Sequence, residues 1–337
     1  MTHELKQIIE EYESAKTQGL KTVLATVVAL DGSSYRRPGV RMLIREDRHM
    51  VGAVSGGCVE KEVVRQAQSV FTDRIAKVMT YDGRYRLGCE GVLYILLEPF
   101  LPDSTFLQAF ELVLKNREHF TIRSYFEKKE SFNSTYGSVL SLKNKELYFR
   151  PDYKALNEHM VFEQEMEPCF KLFIIGAEHD AVQLCGFAAR IGWEVSIVAD
   201  PTEEKNISDF SGAHEFLGIL PENFPTHKID GNTAIVLMNH SYSKDLKYLL
   251  QLSSANNIYL GLLGPHTRRE KLFNELMELN PEVSYDFLDS IHGPAGLDIG
   301  GETPQEIAVA IVSEILSVIR KRAPIPLKDK ETGIHDS

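Results

Sequence analysis

The chain lacks an excess of positive charge: 37 basic against 48 acidic residues leave a formal net charge of −11 over 337 residues. Phosphate backbones demand clustered cations, which argues against a nucleic-acid partner. It also lacks an apolar run long enough to cross a bilayer and an N-terminal pattern of charged, apolar and small residues. A soluble cytoplasmic protein with no membrane partner is therefore expected. Cysteine is scarce, four in all. Without an export signal, free thiols are expected in place of structural disulfides. The histidines lack the i, i+4 spacing of a zinc-protease helix, which argues against a structural zinc site.

What is present suffices for two packed domains, since 43% of the residues are apolar and the length exceeds one typical domain. HELKQIIEEYESAKTQG spaces its apolar residues helically and ends on Gly19, a plausible C′ residue. KTVLATVVAL is a β-branched run closed by DGSS and reads as a buried strand; GVRMLIRED and HMVGAVS read as two more. After Ser55, Gly56, Gly57 and Cys58, the residues Val59, Val63, Ala67, Val70 and Phe71 fall on one helix face. AKVMTYD and GVLYILLEPF flank GRYRLGCEG as further strands. Residues 102–165 read as a helix followed by three strands, FTIRSYFE, GSVLSLK and KELYFR, with few chemical residues.

The second half opens on CFKLFIIGAEHDAVQLCGFAARIGWEVSIVADP, a strand, a turn at Gly176, an amphipathic helix and a second strand, which is a βαβ unit. TAIVLMNH and IYLGLLGPH follow as buried strands, each succeeded by a helical pattern. Thr303, Pro304 and Glu306 predict the N-cap, N1 and capping-box positions of a last helix. The fold class is α/β: an N-terminal α/β domain over 1–100, a connector over 101–167, a Rossmann-like doubly wound parallel sheet over 168–322 and a tail over 323–337.

Five sets of residues carry chemistry. A βαβ turn binds phosphate through backbone N–H groups at the helix start. Asp200, 24 residues beyond Gly176, suits a ribose hydroxyl. Where a dinucleotide fingerprint wants glycine, however, the turn has Glu178, with Asp180 nearby, and both carboxylates repel a diphosphate. Weakened or lost dinucleotide binding, including NAD(P), is therefore the competing expectation. His179, His240 and His266 each follow a strand's C-terminal end, and His292 lies in IHGPAGLDIGG. Loops there surround the ligand crevice of an open parallel sheet, so these imidazoles are candidates for a metal or an anion, or are solvated loop residues. Arg268 and Arg269 pair with phosphate or lie on a helix surface. Ser33, Ser34, Arg36, Arg37 and Arg41 cluster in and after one Gly/Pro-bounded turn that suits a phosphate or a carboxylate, or is a solvated charged turn. Cys58, behind two glycines at a helix start, is placed where the helix terminus favours thiolate. Cys89 sits in a similar turn, LGCEG. Two thiolates near one pocket and two small buried residues fit the pattern equally well.

Together these stretches resemble the XdhC/CoxI family, accessory proteins in the maturation of xanthine dehydrogenase and carbon monoxide dehydrogenase. GSSYRRPGVRMLI and GAVSGGCVE look like its N-terminal signature, and LGCEGVLYILLEP like its cysteine-containing strand entry. FIIGAEHDA, VSIVADP, MNHSYSKD, YLGLLGPHTRREKL and GPAGLDIGGETPQEIAVAIVSEI resemble the successive motifs of its Rossmann domain. The chain departs from the family at Glu178 and Asp180, at GPH where Gly-Ser-Arg is usual, and in HGPAGLDIG. The resemblance implies a non-catalytic or weakly catalytic protein that transiently binds molybdenum cofactor, a molybdopterin. It further implies help with exchanging oxo for sulfido on molybdenum and with insertion into a xanthine dehydrogenase-type apo-enzyme. On that reading Cys58 and Cys89 face molybdenum, and the arginine loop or the Rossmann crevice holds the phosphate end. A homodimer and a cysteine desulfurase partner are expected by analogy. An NAD(P)-dependent oxidoreductase, and a sulfurtransferase with a persulfide on Cys58, are the alternatives.

Overall fold

The computed structural model describes residues 1–32, 37–83, 91–143, 145–154 and 158–331. They divide into two compact units, Met1–Pro168 and Cys169–Ser337.

In the first unit α1 (Thr2–Thr17) closes at Gly19, whose φ of +70° lets the Gly19 and Leu20 N–H groups donate back to Lys16 and Ala15. β1 (Thr22–Asp31) is buried from Thr22 to Val28 because it is covered on both faces. Val23, Ala25 and Val27 pack against the stripe Val59, Val63, Ala67, Val70 and Phe71 of α2 (Gly57–Asp73). Leu24 meets Leu5, Ile8, Ile9 and Tyr12 of α1. β2 (Arg41–Arg45), β3 (Met50–Gly52), β4 (Lys77–Asp82) and β5 (Val92–Pro99) join β1 in an antiparallel sheet, completed later in the chain by β7 (Ser131–Phe132). Its order is β3-β2-β1-β5-β4-β7.

The stretch expected as a connector folds onto the same core. α3 (Ser104–Asn116) starts at Asp103, whose carboxylate accepts the Phe106 N–H at 2.8 Å. β6 (Phe120–Phe126), β8 (Gly137–Leu142), β9 (Lys145–Tyr148) and β10 (Met160–Met166) form a second antiparallel sheet, ordered β10-β6-β8-β9. Phe106, Phe110, Phe120, Leu140 and Phe149 share one cluster with Leu24, Leu43 and α1.

The second unit is a parallel sheet in the order β13-β12-β11-β14-β15-β16. Its parts are β11 (Lys171–Ile175), α4 (His179–Arg190), β12 (Glu194–Ala199), β13 (Glu215–Gly218), β14 (Thr233–Leu237), α5 (Tyr242–Leu252), β15 (Tyr259–Leu262), α6 (His266–Leu279), α7 (Tyr285–Asp289), β16 (Ile291–His292) and α8 (Pro304–Arg320). Strand alternation supplies two cores. Leu172 and Ile174 face α4 and α8, whereas Phe173 and Ile175 face α5, α6 and α7. The predicted cap of α8 forms: Thr303 Oγ1 accepts from Glu306 N, and the Glu306 carboxylate accepts from Thr303 N at 2.9 Å. The doubly wound α/β architecture read from the sequence is present.

Candidate functional site

The start of α2 is one of the exposed chemical positions. Val54 and Val59 are buried and anchor the chain on either side, while Gly56, Gly57 and Cys58 between them are exposed. Gly56 caps the helix in an extended conformation, φ −79° and ψ 163°, and offers no side-chain acceptor. The N–H groups of Gly57 and Cys58 precede the first intrahelical bonds and point off the helix end. A Cβ added at Gly56 or at Gly57 meets nothing within 4 Å. Neither glycine has the positive φ that would require it. Packing therefore explains the two valines, but not the two glycines. Of the other described cysteines, Cys169 and Cys185 are buried, and burial pushes the Cys185 thiol up to about 11.

Ser33, Ser34, Arg36 and Cys89 lie outside the described residues. Arg41 is described, and its side chain lies in the interior instead of on the predicted anion-binding turn, because residue 41 faces the second sheet. Its Nη1 donates to the Gly39 carbonyl at 2.9 Å and to Gln164 Oε1 on β10 at 2.6 Å. Burial pulls the guanidinium down to about 10 against the attraction of Glu98 and Glu4, so it stays charged at neutral pH. Glu98 is also fully buried and accepts from Ser138 N at 2.9 Å and Ser138 Oγ at 2.6 Å. Burial pushes its carboxyl up, with the Ser138 bonds and the charges of Arg150 and Arg41 opposing. This polar core was missed in the sequence, although a lone glutamate in the apolar run GVLYILLEPF was a signal for it.

In the second unit Gly176 ends β11 beside β14, where the strand order reverses and an open α/β sheet places its crevice. Its φ is +135°, and an added Cβ would lie 2.8 Å from the Met238 carbonyl. The glycine is demanded by neighbouring backbone. The Lys205 Nζ donates to the Ala177 carbonyl at 2.8 Å. Glu178 occupies the N-cap position of α4 without a side-chain capping bond and faces His240 across 3.8 Å. Asp200 pairs with Lys244 at 2.7 Å and accepts from Thr202 Oγ1 and N at 2.6 and 3.0 Å. The Lys244 bond, then those from Thr202, hold its carboxyl well below the usual range. A diphosphate at this turn would meet the Glu178 carboxylate, and the ribose-binding position is already engaged, so these residues do not fit a dinucleotide.

Three of the four predicted histidines face a carboxylate, His240 that of Glu178. His179 is the first residue of α4, and His266, the first of α6, pairs with Glu270 at 3.3 Å. His292 stacks on Tyr259 with ring centroids 4.4 Å apart and pairs with Glu314 at 3.1 Å. Glu314 also accepts from the Tyr259 hydroxyl at 2.5 Å and from Gly296 N at 2.8 Å. Burial alone would push its carboxyl up, but the bonds from His292, Tyr259 and Gly296 outweigh that and hold it down. Arg268 pairs with the buried Asp245 at 2.8 Å, and Arg269 donates to the Gly293 carbonyl at 3.3 Å. Among the described residues no three His, Cys, Asp or Glu side chains converge to hold a metal ion, and no helix is long and apolar enough to cross a membrane.

Two family models match the chain: the XdhC Rossmann domain over residues 172–315 and the XdhC and CoxI family over residues 15–82. Together they take in more than half of it. The chain belongs to the XdhC/CoxI family. A Bacillus subtilis (strain 168) protein, named there as one of the probable subunits of xanthine dehydrogenase, is 26% identical, with 95% of this chain and 98% of that protein aligned. "Molybdenum cofactor insertion chaperone PaoD" of Escherichia coli (strain K12) is 24% identical over 94% of this chain and 90% of its own length. A crystal structure described as a xanthine dehydrogenase from Bacillus halodurans matches with a TM-score of 0.76 at 25% identity, over 94% of this chain and 96% of that one. Cys58 lies within the match over residues 15–82, and the crevice from Gly176 to His292 within the Rossmann match over residues 172–315.

Proposed function

We propose that this chain is a maturation protein whose cargo is molybdenum cofactor. It binds the cofactor transiently, assists its sulfuration and inserts it into a xanthine dehydrogenase-type apo-enzyme. It acts in the cytoplasm as a homodimer, with a cysteine desulfurase as sulfur source. The observation that carries the reading is the exposed Cys58 on a helix start stripped of side chains by Gly56 and Gly57. A thiolate is a soft ligand suited to a thiophilic metal centre. Exposed N–H groups beside it suit the anionic oxygens around that centre. The names of the Bacillus subtilis and Escherichia coli relatives support the same assignment. Cys89 is the proposed second thiol, and Ser33, Ser34 and Arg36 are proposed anion contacts.

The test is retention of molybdenum cofactor by the purified chain on gel filtration. Wild type is expected to carry it and Cys58→Ala to lose it. No retention by wild type, where a known binder retains the cofactor, contradicts the proposal. The exposed thiol also suits an alternative role, carrying a persulfide. One added sulfur on Cys58 after reaction with a cysteine desulfurase, read by mass spectrometry, supports that role, and an unmodified thiol rejects it.

A further inference from the structure

Beside α2, the turn between β2 and β3 leaves a groove of about 530 Å3. Its lining includes Gly57, Lys61, Val64 and Arg65 from the helix, and Arg48 and Met50 from the turn and the edge strand. Positions 57, 61, 64, 65 and 68 recur at helical spacing, so the groove follows one side of α2 from its first turn. Gly57 lines its N-terminal end, and Cys58, the next residue, borders the groove without lining it, one turn or ~5 Å along the axis from Lys61 and two turns or ~10 Å from Arg65.

The side chains differ in what they have left to bind. Arg65 is held by Glu62 through two bonds, Nη2 at 2.5 Å and Nε at 2.9 Å, and contributes field but not a free fork. Arg48 and Lys61 have no ion-pair partner among the described residues, although the chain carries a net charge of −11. Glu60 also borders the groove, in the first turn where a carboxylate favours the helix terminus. Met50 and Val64 give the groove an apolar floor. Apolar side chains beside unpaired cations suit a ligand that carries both a heterocycle and a phosphate.

We infer that this groove holds the pterin and phosphate half of the cofactor, with Arg48 and Lys61 as the phosphate contacts and Cys58 at the molybdenum end. The inference rests on the cofactor-binding reading proposed above. It assigns the phosphate to the α2 groove and away from the Rossmann turn, where Glu178 opposes an anion.

The experiment uses the full chain and molybdenum cofactor released from a heat-denatured molybdenum hydroxylase, with the bound fraction measured across a salt series. Arg48→Gln/Lys61→Gln and R48E/K61E are expected to weaken retention by roughly tenfold or more and to flatten its salt dependence. Excess inorganic phosphate is expected to compete on wild type but not on either double variant. Both side chains are exposed, so the urea midpoint of each variant should match wild type, which separates lost binding from lost folding. Unchanged retention and salt dependence in both double variants overturn the groove assignment, even if Cys58→Ala loses the cofactor. Absent retention by wild type overturns the cofactor-binding reading itself.

Discussion

Two helices of this chain, α2 and α4, begin behind glycine, and the two starts are physically opposite. At α4 the glycine serves the fold: Gly176 has φ +135°, and a side chain there would collide with Met238. At α2 the glycines serve nothing inside the molecule, because Gly56 and Gly57 have room for a side chain. Glycine in a helix is destabilising by about 0.5–1 kcal/mol relative to alanine. A crowded glycine therefore reports a backbone crossing, whereas an uncrowded pair beside an exposed thiol reports room kept for something outside the chain. The carboxylates sharpen the contrast, with Glu178 at the α4 cap and a bare Gly56 at the α2 cap.

Gly176→Ala should cause the largest effect, destabilising the second unit by about 3 kcal/mol through a left-handed residue forced against backbone. Urea unfolding of the full chain reads it, and an unshifted midpoint would mean the turn can relax. Next come the thiols. Iodoacetamide on the native protein should modify Cys58 roughly 100-fold faster than Cys185, followed by peptide mapping. Comparable rates would break the distinction between exposed and buried cysteines. The folded form keeps the Cys185 proton that the unfolded chain releases from about 9, so stability falls as pH rises from about 9 to about 11. Cys185→Ala should remove that part of the alkaline slope.

Asp200 should act in the other direction and more weakly. Held ionised by Lys244, it binds its proton less readily folded than unfolded, so it stabilises at neutral pH and that contribution is lost as pH falls below the usual carboxylate range. Asp200→Asn should flatten the acid limb of the stability curve, and an identical limb would count against the ion pair. The smallest stability change belongs to Gly57→Ala, a gain of about 0.5 kcal/mol from better helix propensity. The same variant should retain less cofactor. A gain in stability with full retention would mean that the bare helix start is not used.

The second unit was the more legible in sequence, for identifiable reasons. Its strands are continuous Val/Ile/Leu runs, as a sheet covered on both faces requires, and the Thr303-Pro304-Glu306 cap is a local signal. β10 was not legible. Its sequence MVFEQEM is half-exposed and charged, and it gains a strand's conformation only from pairing with β6 along its whole length. β13, an edge strand of four residues, was missed for the same reason. At the candidate site, the helical stripe after Cys58 predicted its place at a helix start but left buried and exposed thiols equally open, and only the structure shows it exposed. The fate of Arg41 was not readable, because the partner that draws it inward, Gln164, is 123 residues away. Nor could spacing show that His240, His266 and His292 would each face a carboxylate.

The most direct test of the central claim, that Cys58 meets molybdenum, is X-ray absorption at the molybdenum edge on cofactor bound to wild type and to Cys58→Ser. The account predicts one fewer sulfur in the molybdenum shell of the variant. Identical sulfur shells in the two samples would contradict it.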